Sequence, residues 1–489
     1  MRLRTVEEYL YVHAIETPDK VAVVAGNRET TYRALYEMAF RYHNRLKEAG
    51  VSKGSIIVTR AAQSLNYVVT YLAVHMSGGI VASLEKNIPL AGFEKAARQI
   101  GADFVLLKED EHLTGPWESI YYTESPTDEE YVNLPTFDIP DAEESADILF
   151  TTGTTGVSKG VELSHKALVA TAENLIYGCE YRADTFLIVP GPLNHANAVR
   201  KLFTTIVNGS TICLLNGMSD MPGFFRALDY PSGSKACCLP PAAIRTVFAL
   251  TGDRIGAYSE KIDFIESASA PLPEADKQRL CHLLPKTRLY NNYGSSEAAS
   301  VCIYDYSRFP GKKGCVGTEM PNSHVFVTDE SHNEIRSDKE HMGLLACIGD
   351  VNMKGYVNDP ELTEEVLING AVYTNDVGYI DAEGFVYISG RKGDVINVGG
   401  IKVSPSDVEE VALAMEGIDD CACIAVEDAI SGQALKLLTV MHQGIPFDSC
   451  RIREFLSSRT EAVKVPRFYE QVERIERTFN GKINRKYYR

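Results

Sequence analysis

The chain has 489 residues, 45% hydrophobic, 24% charged and 9% aromatic; at roughly 150 residues per domain this makes two to four packed domains and excludes extended disorder and collagen-like repetition. Its 49 Lys and Arg against 66 Asp and Glu leave a net charge of −17, which excludes a protein that coats nucleic acid with its whole surface. Residues 451–489 run against this balance, with eleven Lys and Arg to five Glu, a pattern that fits either a small phosphorylated ligand nearby or a solvated basic face. The eleven cysteines include no C-x-x-C pair, so a reduced, cytoplasmic compartment is expected rather than a disulfide framework or a zinc knuckle.

In chain order, the opening segment has acidic residues where a secretory signal would be apolar, and Thr5 with Glu8 reads as a capping box. A strand is expected at 21–25, a helix at 32–49 and a strand at 55–60. Residues 61–84 carry no formal charge, but the polar residues Gln63, Ser64, Asn66 and His75 and the pair Gly78, Gly79 interrupt the stretch. It reads as a buried helix, a glycine turn and a strand at 80–84, not as a membrane span. Further strands at 104–107, 148–151, 187–189 and 211–215 continue the βα alternation of a layered α/β domain with mostly parallel sheets. Past about residue 370 the rhythm changes to short strands at 372–373, 379–380, 386–388 and 395–398, which suggests that a smaller unit begins near there. A helix follows, with Ser404 as N-cap and Pro405 at the first helical position.

The most informative stretch is LFTTGTTGVSKG at 149–160: hydroxyl and amide donors with glycines that let backbone approach phosphate oxygens. It is not a Walker A loop, because Ser158 precedes the lysine where glycine would stand. Four further segments follow: Asn291-Asn292-Tyr293-Gly294-Ser295-Ser296-Glu297; Tyr373-Thr374-Asn375-Asp376; Ser389-Gly390-Arg391 leading to Gly399-Gly400; and Thr478-Phe479-Asn480-Gly481-Lys482. In this order and spacing the five segments resemble the adenylate-forming superfamily of acyl-CoA synthetases, nonribosomal peptide adenylation domains and beetle luciferases, most closely a free-standing acyl-CoA synthetase.

The resemblance implies a large N-terminal domain over 1–391, a hinge at 392–394 and a small mobile α+β cap over 395–489. It implies that a carboxylic acid attacks ATP, that pyrophosphate leaves, and that the acyl-adenylate passes to a thiol, that of coenzyme A or the phosphopantetheine of an acyl carrier protein. Thr151, Thr152, Gly153, Thr154, Thr155, Gly156 and Lys159 would hold the leaving phosphates, and Glu297 would ligate Mg²⁺. Tyr293 and Gly294 would pack on adenine with Asn291 at its exocyclic amine, opposite a wall containing Ser269 and Ala270; Ser296 lies in the same motif. Asp376 and Arg391 would hold the ribose. Lys482 would bridge the acid and the α-phosphate, Gly393 would be the pivot, and Gly399 with Gly400 would line the thiol's tunnel. Asn375 stands where the family usually has glycine, and Asn is the side chain that best tolerates a left-handed backbone.

The acid itself would be read after Pro192-Leu193-Asn194-His195. By the resemblance His195 gates the carboxyl end, Ala196 replaces the aspartate that amino-acid-activating relatives use, and Arg200 falls on the pocket wall. An inward guanidinium would ask for an anion or carbonyl on the substrate, such as a dicarboxylate; an outward or protein-paired one would readmit a fatty acid. A luciferase-type oxygenase and a noncatalytic ATP sensor are the other classes the motifs admit.

Overall fold

The computed structural model describes residues 2–121, 131–151, 159–392, 394, 396–398, 401–428, 432–477 and 483–488. The uncharged stretch becomes helix Leu65–Met76, whose cap Ser64 accepts from the Tyr67 N–H, then a turn at Gly78 with φ +74° and strand Ile80–Leu84. It lacks charge because it lacks a wet face: every residue of the helix except Asn66 is buried. At the first helix the Thr5 hydroxyl accepts from the Glu8 N–H at 3.2 Å, while the Glu8 carboxylate takes the N–H of Arg4 at 2.7 Å. Among the described residues no helix is long and apolar enough to cross a membrane. All eleven cysteines are free thiols.

Two sheets dominate the first 391 residues. In the larger, strands Val21–Ala25, Thr211–Leu214, Thr185–Val189, Ser234–Cys238, Ile262–Ser267 and Arg288–Ser295 run parallel. From Arg288–Ser295 onward the neighbours Ala299–Asp305, Cys315–Glu319, Val386–Arg391, Ala371–Ile380, Gly343–Gly349 and Ser323–Thr328 are antiparallel. The second sheet is parallel through Ser145–Thr151, Ile80–Leu84, Ile56–Arg60, Phe104–Leu107 and Glu118–Tyr121, with Lys159–Ser164 antiparallel at one side. Residues of both sheets share one apolar core with helices Tyr32–Glu48, Leu65–Met76, His165–Gly178 and Ala196–Asn208. Helices Met221–Leu228, Pro241–Thr251 and Glu274–Leu283 cover the far face of the first sheet, and Leu90–Ile100 that of the second. The layers therefore alternate helix, sheet, helix, sheet, helix, each element burying its apolar face.

The rhythm change near residue 370 does not begin a new unit. Residues 371–380 form one strand, bent at Asn375, and it pairs with Val386–Arg391 and Gly343–Gly349 inside the large sheet. Short alternating runs announce antiparallel strands but not which sheet they join. A separate sheet starts at Ile396–Val398, with Ile401–Val403, Gly432–Met441, Ile418–Asp428 and, parallel, Phe468–Gln471. Helices Pro405–Leu413 and Ser449–Ser457 pack on it. Ser404 sits at the N-cap of the first of these, but its buried hydroxyl makes no cap bond and has no partner among the described residues.

One ionic group is sealed in the large core. His75 Nδ1 lies 2.8 Å from Glu7 Oε1 and Nε2 lies 3.0 Å from Asp147 Oδ1, with all three side chains 0% exposed. Burial opposes an imidazolium, but the two carboxylates outweigh it and hold His75 up at about 10. Burial likewise pushes Glu7 up, and the charge on His75 more than reverses that. His165, ring to ring 5.2 Å from His75, is driven down to about 4 by burial and by that same charge.

Candidate active site

The first sheet changes from parallel to antiparallel at Arg288–Ser295, and the chain segments leaving the carboxyl ends of its parallel neighbours gather the functional side chains there. A crevice outside strand carboxyl ends is where open α/β sheets bind ligands. Ser267 is the register partner of Asn291, so the segment holding Ser269 and Ala270 lies beside the strand holding Asn291 and Tyr293. Ser269 is held at φ +76°, an unusual backbone for a residue with a Cβ. The strand lies tightly against Ala299–Asp305 at Gly294, where a Cβ would fall 1.5 Å from the carbonyl oxygen of Ala299.

Tyr293 reaches across to the strand Ala371–Ile380. Its hydroxyl donates to Asp376 Oδ2 at 2.7 Å and lies 3.2 Å from Thr374 Oγ1, and Arg391 Nε donates to Asp376 Oδ1 at 3.1 Å. Burial and the neighbouring carboxylate raise the Tyr293 phenol well above its ordinary value, so it stays a donor. Asp376 is buried, while Arg391, its register partner, is exposed. Asn375 adopts φ +61°, and its carbonyl accepts the Lys392 N–H at 2.7 Å, tying the bend to the residue after Arg391. Each carboxyl oxygen has more than one acceptor position, so a single hydrogen bond does not exhaust it.

Glu297 stands in the turn after this strand, fixed by its N–H on Ser295 Oγ at 3.1 Å and by its carbonyl, which accepts from the Met353 N–H at 2.7 Å. Tyr356 donates to Glu297 Oε1 at 2.8 Å, and Lys159 Nζ lies 5.7 Å from the Tyr356 ring centroid. Among the described residues Glu297 Oε2 accepts no hydrogen bond, which leaves a hard oxygen suited to Mg²⁺. Thr151 and Lys159 are antiparallel register partners, so the intervening residues connect a hairpin; Thr152, Gly153, Thr154, Thr155 and Gly156 lie outside the described residues. Tyr356 went unread in the sequence, 59 positions from Glu297 and in no motif that marked it.

On the acyl side, His195 is the N-cap residue of helix Ala196–Asn208, half-buried, and burial lowers its pKa. Ala196 opens the helix with no polar group to offer. Arg200 is buried, and its Nη2 donates to the Ser296 carbonyl at 3.2 Å. Burial pulls the guanidinium down to about 10 despite the carboxylates of Glu297 and Asp147. Next to it Lys201 Nζ lies 2.9 Å from Glu266 Oε1, both side chains 0% exposed, and Asn292 donates to the same oxygen at 2.8 Å.

Lys482, Gly393, Gly399 and Gly400 lie outside the described residues, but the segments flanking 478–482 are held on both sides. Arg477 Nη2 donates to both oxygens of Asp420 at 2.7 and 2.8 Å, and Arg485 Nη2 to both of Glu409 at 2.6 and 2.7 Å. Arg477 and Ile483 form an antiparallel bridge. Burial raises the Glu409 carboxyl to about 7 against the pull of Arg485. These two clamps also escaped the sequence, since their carboxylates lie 57 and 76 positions away.

Residues 10–357 match the family model for the AMP-binding enzyme, and residues 407–482 that for the AMP-binding enzyme C-terminal domain. The chain is 28% identical to a long-chain-fatty-acid–CoA ligase of Bacillus subtilis (strain 168), over 99% of this chain and 94% of that protein. Its fold is shared with ATP-bound MatB from Rhodopseudomonas palustris, at TM-score 0.87 and 22% identity over 99% of this chain and 98% of that one. It is shared also with the O-succinylbenzoate coenzyme A synthetase of Bacillus subtilis in complex with ATP and magnesium ion, at TM-score 0.82 and 20% identity over 98% of each chain.

Proposed function

Because the chain belongs to the AMP-binding enzyme family, we propose that it converts a carboxylic acid and ATP into an acyl-adenylate with release of pyrophosphate, and then passes the acyl group to the thiol of coenzyme A. The observation that carries this reading is Asp376, buried and held on its two oxygens by Tyr293 and Arg391: a carboxyl acceptor with spare lone pairs beside an aromatic ring suits a ribose next to a purine. Glu297 would hold Mg²⁺, which neutralises phosphate charge when bound. Lys159, beside Tyr356, and the threonines at 151–155 would position the leaving pyrophosphate, because phosphoryl chemistry depends on placement and charge more than on covalent help. His195, with its charge disfavoured by burial, leaves the acid's own carboxylate as the anion at the reacting end. Lys482 would bridge that carboxylate and the α-phosphate, and rotation about Gly393 would then withdraw it and bring Gly399 and Gly400 to the thiol's path.

The test is acid-dependent exchange of labelled pyrophosphate into ATP, followed by thioester formation with free coenzyme A or with a pantetheinylated carrier protein. Exchange with wild type, lost at least tenfold in Asp376→Ala, is expected, with thioester on free coenzyme A. ATP binding without exchange for any acid would refute adenylation; thioester only on the carrier would refute the acceptor.

A further inference from the structure

Two cations stand side by side on helix Ala196–Asn208, and they are treated differently. Lys201 is fully buried and neutralised inside the protein by Glu266. Arg200 is 7% exposed, yet of its five N–H donors one makes a hydrogen bond among the described residues, and its partner is a neutral carbonyl, that of Ser296. Glu297 and Asp147 act on it only through space. A buried guanidinium left this short of partners is costly, and its planar fork is shaped for a carboxylate.

The contact also fixes where the fork sits. Ser296 directly precedes Glu297, and His195 lies five residues, or about 7.5 Å of helix rise, before Arg200. An acid whose reacting end lies between His195 and Glu297 would therefore bring only a short tail to the guanidinium.

From this we infer that Arg200 is an anchor for a second carboxylate on the substrate, so that the enzyme selects short dicarboxylic acids over monocarboxylic acids of equal length. This rests on the adenylation reading above. An apolar tail would leave buried donors unsatisfied, the situation in which sites discriminate most strongly. The rival role for Arg200 is a brace that holds the turn at Ser296 whatever the acid.

The experiment measures kcat/KM for pyrophosphate exchange with matched pairs, succinate against butyrate, glutarate against pentanoate and adipate against hexanoate, in full-length wild type, Arg200→Met and Arg200→Lys. Wild type is expected to favour at least one diacid by about 10²-fold. That ratio should collapse in Arg200→Met and be partly restored in Arg200→Lys. Should Arg200→Met not fold, Arg200→Gln replaces it, and protection of wild type against thermal unfolding by diacid but not monoacid gives a second readout. Equal use of both acids by wild type would overturn the inference while leaving adenylation standing. So would a proportional loss for both acids in the variants with a raised KM for ATP, which is the signature of a brace. Absence of exchange with every acid would overturn both readings.

Discussion

The segments that flank 152–158 and those that flank 478–482 both carry charged groups, and these two sets of groups are built on opposite plans. Under the first, strand Ser145–Thr151 carries Asp147 into the Glu7–His75 group, where every side chain is 0% exposed. Around the second, the Arg477–Asp420 side chains are 37% and 25% exposed and those of Arg485–Glu409 are 16% and 10% exposed. A sealed group cannot rearrange without unfolding the core around it, because an ion left unpaired there has no water to turn to. The Arg477–Asp420 pair, in contact with water, can loosen and reform cheaply, and the Arg485–Glu409 pair, drier but not sealed, lies between the two extremes. The contrast matches the proposed division of labour: a fixed phosphate cradle in the large domain and a lysine that arrives and leaves with the small one.

The sharpest way to break the contrast is His75→Leu, which strands two buried carboxylates. Urea unfolding of the full chain should show a loss of about 3–5 kcal/mol; a loss under 1 kcal/mol would mean the group is no structural anchor. Its pH dependence is fixed in sign. His75 is raised to about 10, so its contribution is complete below the ordinary histidine value and disappears as pH rises through about 10. His165 is lowered to about 4, so its contribution is present above the ordinary value and is lost as pH falls through about 4. Stability of wild type should therefore decline on both sides of a maximum near pH 6.5, and His75→Leu should flatten the alkaline limb.

Next in size, Lys482→Ala should slow acyl-adenylate formation by on the order of 10²–10³ while thiol transfer from supplied acyl-adenylate falls far less. Equal loss in both half-reactions, measured in single turnover, would remove the mobile-lysine reading. Smaller still, Arg485→Met should leave the small domain folded and cut adenylation about tenfold, less than the ~10²-fold a 1 Å misplacement can bring. Rates unchanged at equal protein melting would show the clamp at Glu409 to be incidental to where Lys482 goes.

What could be read without coordinates was what is local. The bend at Asn375 follows from a side chain that tolerates positive φ, and φ +61° is found there; the uncharged helix at 65–76 follows from its burial on all sides. The five motifs brought Tyr293, Glu297, Asp376 and Arg391 into one list because each is marked by its immediate neighbours. What stayed hidden depends on long-range pairing. Strand 371–380 belongs to the large sheet through its partner Gly343–Gly349, and no short-range signal states that. Tyr356 reaches Glu297 only because strand Gly355–Tyr356 lies against Lys159–Ser164. The missing cap bond at Ser404 shows that the right residue in the right place does not by itself make the bond.

The close approach of two strands at Gly294 sets a rule for variation of this protein. With the Ala299 carbonyl 1.5 Å from where a methyl group would begin, even alanine would have to prise apart strands Arg288–Ser295 and Ala299–Asp305, the first of which carries Tyr293 while the turn between them carries Glu297. Tyr293 and Glu297 thus hang on one hairpin, and a saturation library at position 294 should return glycine alone.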